Sequence, residues 1–310
     1  MTLNDLRPPG PAAGTAALLQ RLRDGRPRTR AELAAETGLA RSTVAERIET
    51  LLSSGFLKPA EKAESTGGRP PTMFAFNPAA RVVLAADVGA THVLLAVTDL
   101  EGEVLAEEGH ELDIADGPDA VLDSVCASGT RLVKQVGRGP ADLLGVGIGL
   151  PGPVEHSTGR PTSPPIMPGW DDFDVMGFVR DRLGVRTLVD NDVNIMALGE
   201  HHTQWPQAAD MLFVKVATGI GSGLISDGRL HRGAQGAAGD MGHVQLPHGA
   251  DVACRCGNVG CLEAIASGAA VAAKLTADGT PADGSADVVA LARGGSVPAL
   301  TMLRQAGRDI

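Results

Sequence analysis

Near the amino end, apolar residues recur at helical spacing and turn residues cut them into three short blocks. Leu18, Leu19 and Leu22 share one face of a helix predicted over 13–23. Asp24-Gly25 ends it, because glycine accepts the left-handed cap conformation. Thr29 followed by Glu32 reads as a capping box that opens a second helix over about 30–36, stopped at Gly38. Val44, Ile48, Leu51 and Leu52 lie at i, i+4, i+7 and i+8, so a third helix buries one face. Phe56-Leu57 and Met73–Phe76 then read as two short strands around the polar loop Glu64–Pro71. Three helices with a Gly-containing turn between the last two, followed by a hairpin, make the pattern of a winged helix-turn-helix over residues 1–78.

Such a module sends the start of its third helix into the major groove of DNA. Arg41, Ser42, Thr43 and Arg47 are therefore candidates for phosphate and base contacts with double-stranded operator DNA. In the wing, Gly67-Gly68 allow close backbone approach, and Pro70-Pro71 hold Arg69 on an extended arm suited to a narrow minor groove. A three-helix interaction module ending in a flexible linker carries many of the same local signals.

From Val82 onward the pattern alternates strands with helices. Strands are predicted over Val82–Ala86, Val93–Thr98, Leu143–Leu150, 185–189 and Met211–Ala217, with helices over 118–136, 174–183 and 193–202. Asp99–Gly102 is a hairpin turn into a further strand. This is an α/β domain with a mixed sheet, over residues 79–310.

Charge sharpens the division. Residues 1–78 carry 11 Lys/Arg against 8 Asp/Glu, and the remainder carries 16 against 29, so only the head suits a polyanion. Aromatics make up 3% with no Tyr, which leaves the cores to Ala, Val, Leu and Gly. No apolar run reaches the roughly 20 residues of a membrane span. Met1–Gly10 lacks the pattern of a signal peptide, so a cytoplasmic protein with no membrane partner is expected.

Four features of the body carry chemistry. Asp87-Val-Gly89-Ala-Thr91 is a loop that could coordinate a metal-phosphate, or an ordinary turn. Thr218-Gly219-Ile-Gly221-Ser-Gly223 is either an anion cradle of backbone N–H groups or a hairpin. Asp190-Asn191-Asp192-Val-Asn194 follows a strand at the end where α/β folds bind ligands, although Asp190 or Asn191 could equally cap a helix. The fourth is His243-x10-Cys254-x-Cys256-Gly-x-x-Gly-Cys261, one imidazole and three thiolates, a closed tetrahedral set for structural zinc. Gly257 and Gly260 let that short loop bend, and Cys126 stands apart as a small hydrophobe.

Together these stretches resemble the repressor, open reading frame and kinase (ROK) family, with Gly149-Leu-Pro-Gly-Pro153, Gly242-His243 and Cys254–Glu263 added to the match. With the head and its Gly68-Arg69-Pro70 loop, the resemblance is to the regulator branch, from about residue 15 to 310. It implies an actin-like (ribonuclease H-like, sugar-kinase) fold of two lobes, about 79–200 and 201–310, with sugar in the cleft. Asn191, Asp192, Asp240, His243 and Glu263 would then contact the sugar, and Asp192 would stand where a kinase has its catalytic base. His243 would ligate zinc with one nitrogen and meet a sugar hydroxyl with the other.

Three departures bear on activity. Ala90 replaces a glycine of the phosphate loop, and Asp240 replaces a glutamate of the Glu-x-Gly-His motif. The chain ends at Arg308-Asp-Ile310 within a predicted helix, before the adenosine-binding segment that the resemblance implies, so an incomplete second lobe is expected. Phosphate contacts through Asp87, Gly89, Thr91, Thr218, Gly219 and Gly221 are accordingly expected to be vestigial. The expectation is a zinc-containing, sugar-responsive regulator, most simply a repressor of carbohydrate genes, that binds a sugar or sugar phosphate. It would act as a homodimer or higher homo-oligomer on a two-fold operator. An ATP-dependent, glucokinase-like sugar kinase using Mg-ATP is the alternative, and a defective, non-regulatory product is a third reading.

Overall fold

A computed structural model describes residues 11–60, 71–234 and 236–310. Internal contacts divide the chain into two compact units. The first is the chain up to Val83 with Val97–Ala106 and Val133–Leu144; the second is Leu84–Ala96, Glu107–Leu132 and Gly145–Ile310.

The first unit opens with α1 (Pro11–Leu22), β1 (Arg28–Thr29), α2 (Arg30–Thr37), α3 (Arg41–Ser53), β2 (Leu57–Ala60) and β3 (Met73–Phe76). Leu18, Leu22, Leu33, Val44, Ile48, Leu51, Leu57, Phe74 and Phe76 form its wholly apolar core. The expected capping box is present. The Thr29 hydroxyl accepts from Glu32 N at 3.2 Å, and the Glu32 carboxylate accepts from Thr29 N at 2.7 Å. Gly38, at φ +67°, ends α2.

The hairpin gains a strand that its pattern did not announce. Two-residue β1 pairs with β3, giving an antiparallel sheet of order β1-β3-β2. Two residues are too few to show an alternation. The wing loop, with Arg69, lies outside the described residues.

The body continues with β4 (Val82–Val88), β5 (His92–Thr98), β6 (Val104–Glu111), α4 (Pro118–Gln135), β7 (Leu143–Leu150), β8 (Val154–Glu155) and β9 (Arg160–Pro161). Then come α5 (Val175–Leu183), β10 (Arg186–Asn191), α6 (Asp192–Thr203), β11 (Met211–Val216), β12 (Ile220–Ser226) and β13 (Arg229–Leu230). Four helices close the chain: α7 (Leu262–Ala266), α8 (Gly268–Ala277), α9 (Ser285–Arg293) and α10 (Val297–Asp309).

A five-stranded sheet has the order β10-β7-β4-β5-β6, and β10 runs parallel to β7 with Asn191 opposite Leu150. That register sets the ends of both strands, Leu150 and Asn191, side by side. A second sheet, β11-β12-β13, is antiparallel, and α6 packs on it. The last four helices share an apolar core of Leu262, Val271, Leu275, Val288 and several alanines with Ile220 of β12. Asp87 belongs to β4 rather than to a loop, because the strand runs two residues past the predicted end; only Gly89–Thr91 turn.

Candidate functional site

The site grows from the junction of β10 and α6. Asn191 is the N-cap of α6: its Oδ1 accepts from Val193 N at 2.9 Å and Asn194 N at 3.1 Å. Its Nδ2 donates to Gly152 O at 3.0 Å, tying the cap to the loop after β7. The capping reading thus holds for Asn191, which also faces a cavity. Asp190 turns the other way and is buried. Arg232 Nε donates to its Oδ2 at 2.7 Å, Asn194 Nδ2 donates to its Oδ1 at 3.0 Å, and His156 Nδ1 lies 3.3 Å away. A carboxylate so fully partnered is a structural hub.

Asp192, the first residue of α6, is also buried. Lys215 Nζ of β11 donates to its Oδ2 at 2.8 Å. Asp87 stands in the field of this pair. Burial pushes its carboxyl above the usual range, the Asp192 charge adds to the rise, and Lys215 and His92 oppose it.

Glycines bring these elements into contact. A Cβ at Gly149 would meet Ile195 and the Asp192 backbone, one at Gly221 would meet Val193, and one at Gly223 would meet Ala197. So β7 and β12 approach α6 closely. Gly221, expected among the phosphate contacts, serves this helix packing. Ala217–Gly219 is the turn of the β11–β12 hairpin, with Ala217 N donating to Gly219 O at 2.9 Å. The hairpin reading of that stretch is the one observed. Gly219 leaves space for the Glu263 carboxylate, which accepts from Ile220 N at 2.9 Å. The segment Gly239–His243 is laid on β12, with Ser222 N donating to Gly239 O at 2.9 Å.

These elements enclose a cavity of about 450 Å³, entirely within the second unit. That size lies in the roughly 300–1,000 Å³ range of small-molecule sites. Asn191, Asp192, Asp240, His243 and Glu263 all line it, together with Lys215. Gly89, Thr91, Thr218, Gly219 and Gly221 line it too, whereas Asp87 is not among the lining residues. The His92 imidazole lies directly over Gly89, where a Cβ would collide with it, and so fills space above the turn expected to meet phosphate. Sequence reasoning missed Lys215; its signal was a single cation inside the apolar run Met211–Val216.

Beside the cavity, His243, Cys254, Cys256 and Cys261 place one ligand atom each within 4.8 Å of one another. His243 Nδ1 is 3.7 Å from Cys254 Sγ, and Cys256 Sγ is 3.7 Å from Cys261 Sγ. Tetrahedral Zn–S bonds of about 2.3 Å put two sulfurs roughly 3.8 Å apart, so the donor set and these two spacings fit zinc. Gly257 at φ +89° and Gly260 at φ +74° make the bends, as their positions implied. Burial pushes the Cys254 and Cys261 thiols up, Cys261 to about 12. At Cys256 burial acts the same way, but hydrogen bonds from the Asn258 backbone and the other two thiols leave it below the ordinary thiol value. Three thiols this close can all ionise only around a cation. With Nδ1 toward the sulfurs, His243 Nε2 is 3.9 Å from Asp240 Oδ1.

In the head, Arg41 and Ser42 are exposed and Thr43 is half-buried at the start of α3, where Ala40 supplies no side-chain cap. Arg47 is placed differently. Its guanidinium packs against Gly14 of α1, and its Nη1 is buried with no partner among the described residues. The side chain that looked like a flanking contact on a helical projection fills the α1–α3 junction, because the absent Gly14 side chain leaves room for it. No helix among the described residues is long and apolar enough to cross a membrane.

Comparison with known proteins covers both parts. The ROK family profile matches residues 83–310, and that of an IclR helix-turn-helix domain matches 15–60. The chain is 31% identical over 251 residues to the xylose repressor of Bacillus subtilis (strain 168), which covers 81% of this chain and 64% of the repressor. It spans under two thirds of the length of the curated repressors it matches. A ROK family transcriptional regulator, a homolog of E. coli MLC protein, shares the fold with a TM-score of 0.79 at 23% identity, over 96% of this chain and 78% of that one. A ROK family glucokinase from Streptomyces griseus, solved with glucose and AMPPNP, gives 0.64 at 27% identity, over 74% of this chain and 76% of that one.

Proposed function

This chain belongs to the ROK family, with a helix-turn-helix region ahead of its sugar-kinase-like domain, and on that premise we propose that it is a sugar-responsive DNA-binding regulator, a repressor in the simplest form. The observation that carries the reading is one cavity lined by Asn191, Asp192, Asp240, His243 and Glu263, with His243 shared with the thiol cluster. A sugar in that cavity would accept from and donate to these side chains, as a polyhydroxyl ligand requires. Zinc held by His243, Cys254, Cys256 and Cys261 would supply a structural crosslink, and it would orient the His243 imidazole toward the ligand.

The head supplies the DNA-binding part. Exposed Arg41 and Ser42 stand at the uncapped start of α3, whose backbone N–H groups suit a phosphate. Thr43 and the wing residue Arg69 complete the proposed contact set, and Arg47 supports it from within the fold. Two copies would read a two-fold operator. Sugar then shifts DNA affinity by its differential affinity for the states that bind DNA well and poorly. The relatives named as xylose repressors support this reading, and a cytoplasmic location follows from it.

A gel shift on the upstream DNA, with and without xylose, glucose or N-acetylglucosamine, tests the proposal. Binding that changes at least about fivefold with one sugar is expected, the lower end of ordinary coupling. Indifference to every duplex tried would overturn it. The kinase alternative, with Asp192 as base and Mg-ATP over Gly89–Thr91 and Thr218–Gly221, meets two obstacles: His92 over Gly89 and an Asp192 already held by Lys215. Robust phosphorylation of a hexose or pentose, abolished in Asp192→Asn, would reverse this ranking.

A further inference from the structure

Lys215 interrupts an otherwise apolar strand, and the fold gives it a particular neighbour. In the β11–β12 ladder it lies opposite Gly221. Gly221 has no side chain, and the first turn of α6 packs into that space through Val193. The same close approach puts the Asp192 carboxylate 2.8 Å from Lys215 Nζ. The Asp192 side chain is 8% exposed and that of Lys215 29%, and both line the cavity.

An ammonium carries three donors, and a carboxylate offers about four acceptor positions. Their mutual bond consumes one of each, and Val193 N takes a further acceptor position on Oδ1. What remains toward the cavity is a donor and an acceptor side by side, which is the complement of a single hydroxyl. We propose that Lys215 and Asp192 together read one hydroxyl of the bound sugar, so that Asp192 holds its ligand instead of deprotonating it. Lys215 donates to the hydroxyl oxygen, and Asp192 accepts the hydroxyl proton in a hydrogen bond. Both Asp192 oxygens already accept a hydrogen bond, Oδ2 from the ammonium and Oδ1 from Val193 N at 2.8 Å. Lys215 is therefore a specificity-determining residue. A sugar lacking the hydroxyl leaves a buried carboxylate and a half-buried ammonium without it, a situation in which discrimination is strong.

This inference rests on the reading of the cavity as a sugar site, and calorimetry separates the two. The full chain is titrated with xylose, glucose and N-acetylglucosamine as wild type, Lys215→Met, Lys215→Arg and Asp192→Asn, and then with monodeoxy derivatives of the best binder. Lys215→Met and Asp192→Asn should each weaken the best binder by about 10- to 100-fold. The double variant should lose little more, because the two act as a unit. Lys215→Arg should recover most of the loss. One monodeoxy derivative should bind wild type and Lys215→Met alike, which a merely structural lysine would not produce. If wild type binds and Lys215→Met matches it, or weakens every deoxy derivative by the same factor as the parent, the inference fails while the sugar site stands. If wild type binds none of the three, both fall. Should Lys215→Met not fold, Lys215→Gln carries the same comparison.

Discussion

The head and the body of this chain bury different things. The core of the head is nine apolar side chains, and Thr29 is its only buried polar residue among those described. Its ionic contacts, such as Arg28 with Asp24 and Glu36 or Arg30 with Glu49, are made at the surface. The body buries Asp190, Asp192, Asn194, Thr187 and three serines. Buried carboxylates cost stability unless they are fully partnered. The head is thus built as a scaffold that presents a surface. The body spends stability to hold charged groups in a cavity, and such polar burial is how a binding site differs from a support.

The largest test of that contrast is metal removal. One zinc per chain is expected in purified protein, and chelation should lower the stability of the body by several kcal/mol or more. The melting transition of the head should stay in place. A body that melts alike with and without chelator would remove the metal from the account. Next in size is Ile48→Ala, which empties a fully buried position of the head. It should cost about 2–5 kcal/mol and abolish the gel shift while calorimetric sugar binding persists. Loss of both would mean that the two regions do not fold independently.

Arg232→Ala tests the body in the same way. It leaves Asp190 buried without its strongest partner, for about 3 kcal/mol by chemical denaturation. Thr29→Ala removes the capping hydroxyl of α2 and should cost about 1 kcal/mol, confined to the head.

The smallest effect carries a sign. The Asp87 carboxyl is raised in the folded protein, chiefly by burial and then by Asp192. The native state therefore holds this proton more tightly than the unfolded chain. Stability from this residue is highest at acid pH and falls as pH rises through the interval between the two values. Asp87→Asn should stabilise the chain at neutral pH and change nothing well below the ordinary carboxylate range. A gain that persists equally at low pH would place the cause elsewhere.

What the residues determined on their own was everything with a short range. The capping box at Thr29 and Glu32, the helical faces of α1 to α3, the glycine bends at 257 and 260 and the spacing of the three thiols each depend on neighbours a few positions away. Local backbone geometry and a repeat of 3.6 or two residues suffice to read them. Tertiary structure decided the rest. Arg47 lies against Gly14 of another helix, Gly149 and Gly221 accommodate α6, and Lys215 meets Asp192 from 23 residues away. Each depends on how closely two elements approach, and that distance is set by missing side chains on glycines whose partners lie elsewhere in the chain.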